Sequence, residues 1–192
     1  MQQIALSPDA LVERLFEAAL GMFDIATIYM GDQLGLYDVL AKGGSFTPAA
    51  LAEAAGTNER YTREWLEQQG ATGILICENP DANPGERRYE LPEAYRDIFV
   101  NPDSLSAMTP MAQIMVGSIF PMQKVLDVFR NGGGVGYDEF GADLAEGQAR
   151  STRPTFRNQL VQEWMPAMPD IVARFESTKP ARVADVGMGY GW

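Results

Sequence analysis

The sequence predicts a mainly α chain with a small β hairpin, arranged as a winged helix-turn-helix and followed by a helical linker and the first strand of an α/β domain. Three observations predict this. Apolar residues recur at helical spacing through most of the chain. Two short β-like runs, Ile74–Cys77 and Arg88–Leu91, follow directly on three helical segments. A last β-branched run near the C-terminal end enters a turn with glycine at every second position. The expected organisation is a winged-helix domain over residues 1–105, a helical linker over 106–150, and the start of an α/β domain over 151–192.

The elements can be justified in order. Ser7 before Pro8 is a helix start, with a hydroxyl to cap the free N–H groups and a proline where none is needed. Leu11, Leu15, Ala18, Met22, Ile25 and Tyr29 then form one stripe, and Val12, Phe16, Ala19, Phe23, Ala26 and Met30 form a second beside it. A helix packed on one side of a monomer needs a single stripe. Two stripes predict a helix covered on most sides, by a second copy of the chain or by deep burial, with Gly21 as a point where it can break. Leu34–Leu40 is a short apolar helix ended by Gly43 and Gly44, and Thr47-Pro48 starts another that Gly56 closes. Asn58 caps a third helix, running through Tyr61, Trp65 and Leu66 to Gly70 or Gly73. The hairpin runs follow, separated by a polar turn containing Pro80 and Pro84. Three helices and a two-stranded hairpin is the order of a winged helix-turn-helix. Met111, Met115, Ile119, Met122, Leu126 and Phe129 mark further helix, which Gly132-Gly133-Gly134 breaks. Helix is expected again from about Gly141 to Arg150, with Pro154 opening another that carries Phe156, Leu160, Val161 and Trp164. Ala181–Val186 reads as a buried strand.

Composition removes several function classes. Of 192 residues, 46 % are hydrophobic, which is globular, and the formal net charge is -11. That charge disfavours a nucleic-acid partner, because phosphate binding needs clustered Lys and Arg. It suits a cytoplasmic protein. Cys77 is the only cysteine, so no intrachain disulfide can form. With no histidine in the chain, serine–histidine and cysteine–histidine hydrolysis are excluded, as is a histidine-ligated zinc site; no metal is expected. Met1–Ala5 lacks the basic start of a signal peptide. The uncharged run from Ser104 to Gln123 is long enough to span a bilayer, but Pro110, Pro121, Gln113, Thr109 and Ser118 make it a buried helix pair rather than a membrane span.

The chemistry is concentrated in Val183–Trp192. A β-branched strand leads into Gly187-Met188-Gly189-Tyr190-Gly191, with Asp185 two residues ahead of the first glycine. Glycines at this density let backbone approach a ligand closely, as in the dinucleotide fingerprint at a strand-to-helix turn. Here the spacing is G-x-G-x-G rather than G-x-G-x-x-G, and an acid beside the turn suits a cationic ligand better than a pyrophosphate. The bland reading is an ordinary glycine turn closing a strand.

These ten residues resemble the first cofactor motif of class I S-adenosylmethionine (SAM)-dependent methyltransferases. The chain as a whole is similar to the N-terminal half of methyltransferases that place a winged-helix dimerisation domain ahead of a Rossmann-like catalytic domain. The resemblance implies SAM as cofactor, a small-molecule substrate, and contacts to the methionyl part of SAM from Asp185, Gly187, Gly189 and Gly191. It also implies a homodimer built by the N-terminal helices, and linker helices that help to roof the active site. Met188 stands where a smaller residue is usual; its side chain is expected to point outward with little effect. Only the first strand of a class I domain is present, so the chain on its own is expected neither to bind SAM tightly nor to transfer a methyl group. The catalytic residues and the acceptor atom cannot be assigned.

Further candidates carry two readings each. Tyr137 and Phe140 lie in a loop that the resemblance brings near cofactor or substrate; alternatively they anchor a solvated loop. Arg153, Arg157 and Asn158 either bind a polar substrate group or pair at the surface with Glu163 or Asp170. Met115, with Met108, Met111 and Met122, either lines an adaptable pocket for substrate or fills gaps in a core. Two other functions compete with the enzyme. One is a non-catalytic dimerisation or ligand-binding module. The other is a winged-helix transcriptional regulator, against which stand Glu59, Glu64 and Glu67 on the helix that would enter the groove.

Overall fold

The computed structural model describes residues 6–179 and 181–192; the Met1–Ala5 segment, on which the absence of a leader was argued, lies outside them. The chain divides into two compact units, Met1–Glu93 and Ala94–Trp192.

The first unit opens with α1 (Pro8–Gln33), unbroken through Gly21. The Ser7 hydroxyl accepts from the Ala10 N–H at 3.2 Å. A short α2 (Leu36–Leu40) follows, then α3 (Pro48–Ala55) and α4 (Glu59–Ala71). The Thr47 hydroxyl caps α3 and the Asn58 side-chain oxygen Oδ1 caps α4, accepting from the Arg60 N–H, while Gly56 closes α3 at φ 66°. Strands β1 (Ile76–Cys77) and β2 (Tyr89–Glu90) pair antiparallel, with Ile76 opposite Glu90 and Cys77 opposite Tyr89, and Phe46 bridges to Tyr89. This is the winged helix-turn-helix order.

Its core is Leu36, Tyr37, Leu40, Leu51, Trp65, Leu66, Leu75, Tyr89 and Leu91. Tyr37 and Trp65 meet edge to face at 5.2 Å between centroids. Both rings press on α1 at Gly31, where a Cβ would stand 2.5 Å from Trp65 and 2.6 Å from Tyr37. The polar ends are satisfied internally: Tyr37 Oη donates to Gln69 Oε1, Gln69 Nε2 to Thr27 Oγ1 at 3.1 Å, and Trp65 Nε1 to the Thr27 carbonyl at 2.8 Å. Burial pushes the Tyr37 hydroxyl far above its ordinary range, so it serves as a donor and not as an acid.

The second unit contains α5 (Arg96–Phe99), α6 (Thr109–Ile119), α7 (Met122–Asn131), a 3₁₀ turn (Tyr137–Phe140), α8 (Gly141–Thr155), a π-helical segment (Phe156–Trp164) and α9 (Pro169–Glu176). The Ser104–Gln123 run therefore forms a helix pair broken at Phe120-Pro121. Helices α6 and α8 cross closely because two glycines face across the contact. A Cβ on Gly117 would lie 2.5 Å from the Leu144 nitrogen, and one on Gly147 2.9 Å from the Ile114 nitrogen. Gln113 is buried between them, donating to Asp143 and Glu146 and accepting from Arg150 at 2.7 Å.

Three expectations are corrected. Pro154 does not open a new helix; it lies inside α8, which passes straight into the π segment. Proline removes its own N–H from the ladder without ending the helix, which continues in a wider register, where Asn158 Nδ2 donates to the Pro154 carbonyl at 2.7 Å. Residues Ala181–Val186 form no strand, and Val183 and Val186 are 75 % and 93 % exposed. A strand needs a neighbour for its backbone groups, and the described residues offer none beside this segment. Finally, α1 is not deeply buried within the single chain: Gly31 is its one buried residue, and Leu15, Phe16, Leu20, Met22 and Phe23 stand exposed.

Candidate functional site

In the second unit a cavity of about 590 Å³ lies between the helical wall of α8 with the π segment and the glycine turn. Ala145, Gln148, Ala149, Thr152, Phe156 and Leu160 supply the helical wall. These positions recur every three or four residues, so a single helix face builds it. Tyr137 closes one side from the 3₁₀ turn. Asp185, Gly187, Met188, Gly189, Tyr190 and Trp192 supply the opposite wall.

The turn is made by its glycines. Gly187, Gly189 and Gly191 have φ of 78°, 54° and 71°, and no other residue type among those described adopts positive φ. An L side chain at any of the three would be strained. The Gly191 N–H donates to the Met188 carbonyl at 2.9 Å, closing the turn. Space above the α-carbons of Gly187 and Gly189 is open, so their backbone is accessible to a ligand. Met188 does not simply point away: its methyl group would lie 3.4 Å from a Cβ on Gly191, and the residue lines the cavity.

The candidate residues separate spatially. Asp185, Gly187, Gly189 and Tyr137 come together at the cavity; Gly191 shapes the turn without lining the cavity, and Phe140 and Met115 are not among the lining residues. Arg157 and Asn158 are directed to the loop before α6. Asp103 Oδ1 accepts from Arg153 Nε at 2.7 Å and stands 3.8 Å from Arg157 Nε, while Asn158 Nδ2 donates to the Asp103 carbonyl at 2.8 Å. The hydrogen bond from Arg153 holds the Asp103 carboxyl below its ordinary range. The Arg153 guanidinium also lies over the Trp192 ring, 4.8 Å from its centroid. Gln148, Thr152, Phe156 and Leu160 were not anticipated as site residues. Their spacing was readable, but nothing in the sequence said which face of α8 meets the turn.

In the first unit a second, apolar groove of about 560 Å³ runs between α1 and α4, with Met30, Leu34, Leu36, Tyr61 and Trp65 in its lining. Three cations on and near α4 are engaged: Arg60 with Glu64 at 2.9 Å, Arg87 with Glu67 at 3.4 Å, and Arg88 with Ser45 and Glu78. Among the described residues no group of acidic or cysteine side chains is arranged to hold a metal, and no helix is long and apolar enough to cross a membrane.

Known proteins share parts of this architecture. Residues 21–99 match the Rv2258c-like winged HTH domain. No curated protein matches the chain. Among solved structures, the chain is similar to the mitomycin 7-O-methyltransferase (18 % identity, TM-score 0.57), over 77 % of this chain and 45 % of that one. It is similar to human N-acetylserotonin methyltransferase in complex with SAM (19 % identity, TM-score 0.58), over 80 % of this chain and 48 % of that one. A third is an N,N-8-amino-8-demethyl-D-riboflavin dimethyltransferase from Streptomyces davawensis (18 % identity, TM-score 0.50), over 84 % and 48 %. The chain thus spans less than half the length of each of these structures, and at such identities the likeness is one of fold. Residues 21–99 are thus similar to the Rv2258c-like winged HTH domain, and the chain shares its fold with the matched portions of these methyltransferases.

Proposed function

We propose that the chain is the N-terminal portion of a SAM-dependent methyltransferase acting on a small molecule, and that it contributes dimerisation and part of the cofactor and substrate site. The observation that carries this is the glycine turn: three alternating glycines at positive φ, next to Asp185, open onto a cavity lined by α8. The residue types suit the aminocarboxypropyl end of SAM: accessible backbone at Gly187 and Gly189 would take its carboxylate, and the Asp185 carboxylate its amine. SAM supplies an electrophilic methyl group on a sulfonium. The turn would orient it, and Phe156, Leu160 and Tyr137 would shield it from water. The neutral Gln148 and Thr152 are placed to hold an uncharged polar group of the substrate.

The homodimer reading is supported by α1, whose two apolar stripes are exposed in the single chain. A long exposed apolar face marks an interaction surface. The boundaries 1–105, 106–150 and 151–192 remain the proposed functional division, and the cytoplasm the proposed compartment.

The test is a titration of SAM into the isotopically labelled chain. Because only part of the site is present, affinity is expected in the millimolar range, on the order of -4 kcal/mol. The amide signals of Gly187, Gly189 and Gly191 should shift together, and Gly189→Val should abolish the response. Unmoved glycine signals at saturating SAM would refute the cofactor reading. The reading of a winged-helix module without catalysis would then stand.

A further inference from the structure

The turn has little to hold it. Residues 182–192 are exposed, and among the described residues no hydrogen bond ties Asp185–Gly191 to the helices. Its one strong anchor is the residue that follows it. Trp192 lies under the Arg153 guanidinium at 4.8 Å, and Arg153 is itself fixed, its Nε spent on Asp103 at 2.7 Å. Asp103 is held in turn by Asn158 at its carbonyl and approached by Arg157 at its carboxylate. Three side chains from successive turns of α8 and the π segment thus converge on one acid, and the plane that results faces the indole.

We propose that Arg153 is a positioning residue for the glycine turn: braced by Asp103, its guanidinium seats the Trp192 ring and thereby sets the turn against α8 at the cavity. The inference rests on the cofactor reading for its consequence, not for its geometry. It replaces the view of Arg153 as a ligand for a polar substrate group, since one edge of the group is used by Asp103, its face is used by the ring, and it does not line the cavity. The role requires a planar cation. Lysine carries the same charge but has no plane to stack on the ring while donating in-plane to a carboxylate.

The indole N–H signals of Trp65, Trp164 and Trp192 read this directly, with Trp192→Phe identifying the third. Arg153→Ala should move the Trp192 signal to that of a solvated indole and leave Trp65, in the other unit, unmoved. Asp103→Asn, which keeps the residue's shape, should move it part of the way. Arg153→Lys should fail to restore it. Loss of the stack should weaken SAM binding by roughly three- to tenfold. A Trp192 signal unchanged in Arg153→Ala, full rescue by Arg153→Lys, or equal SAM affinity in wild type and Arg153→Ala would each overturn the proposal. If the indole shifts as expected while the wild-type chain shows no SAM response at all, the positioning role stands and the cofactor reading falls.

Discussion

Single residues decide how closely the elements of this chain approach. Gly31 is the clearest case. It lies within a helix, where glycine is unfavourable relative to alanine, yet Trp65 and Tyr37 occupy the volume a methyl group would take. Both rings are in turn tied to Thr27 and Gln69, so neither can withdraw freely. Gly31→Ala should therefore destabilise the first unit by about 1–3 kcal/mol despite its better helix propensity, measurable by denaturant titration followed through Trp65 fluorescence. Neutral or raised stability would show that α1 can slide away from α4. Asp103 shows the opposite use of one residue, gathering Arg153, Arg157 and Asn158 at a point in the loop before α6. The sequence marked these three as polar residues on a helix and offered Glu163 or Asp170 as partners. The actual partner lies 50 positions from Arg153 in the sequence, a separation no local pattern reveals.

At the scale of elements, local chemistry was legible and register was not. Ser7, Thr47 and Asn58 cap the helices they precede, and the hairpin falls within the two β-like runs, Ile74–Cys77 and Arg88–Leu91. These features depend on neighbours within a few residues. Pro154 was misleading because proline interrupts the α-helical ladder without always ending the helix, and here the chain passes straight on into the π register. Ala181–Val186 was misleading because β-branched composition creates strand propensity while a sheet supplies the hydrogen bonds. Helix α1 carries a prediction of its own. Phe16 and Phe23, 65 % and 67 % exposed, lie on its second stripe, seven residues apart on the same face. The double substitution Phe16→Asp/Phe23→Asp should convert a dimer to a monomer in size exclusion with light scattering, while Tyr37 and Trp65 keep the core intact. A wild-type chain that is monomeric at high concentration would sink the dimer.

For the whole molecule, charge and connectivity set the frame. A net charge of -11 and the pairing of Arg60, Arg87 and Arg88 with carboxylates leave little positive surface around α4 for a phosphate backbone. Duplex DNA should accordingly show no retention by the chain in a low-salt mobility-shift assay. Tight, sequence-dependent retention would restore the regulator reading.

By itself the sequence determined the order of helices and hairpin, the capping residues, the glycine turn with its acid, and the absence of histidine chemistry. Each of these depends on residue type or on contacts between near neighbours along the chain. Only the tertiary structure decided that α8 forms the wall facing that turn, that Arg153 faces Trp192 rather than the cavity, and that α1 keeps its apolar stripes out of the single chain's own core. Those outcomes depend on which surfaces distant segments present to one another, and side-chain packing across large sequence separations fixes them where no local period can.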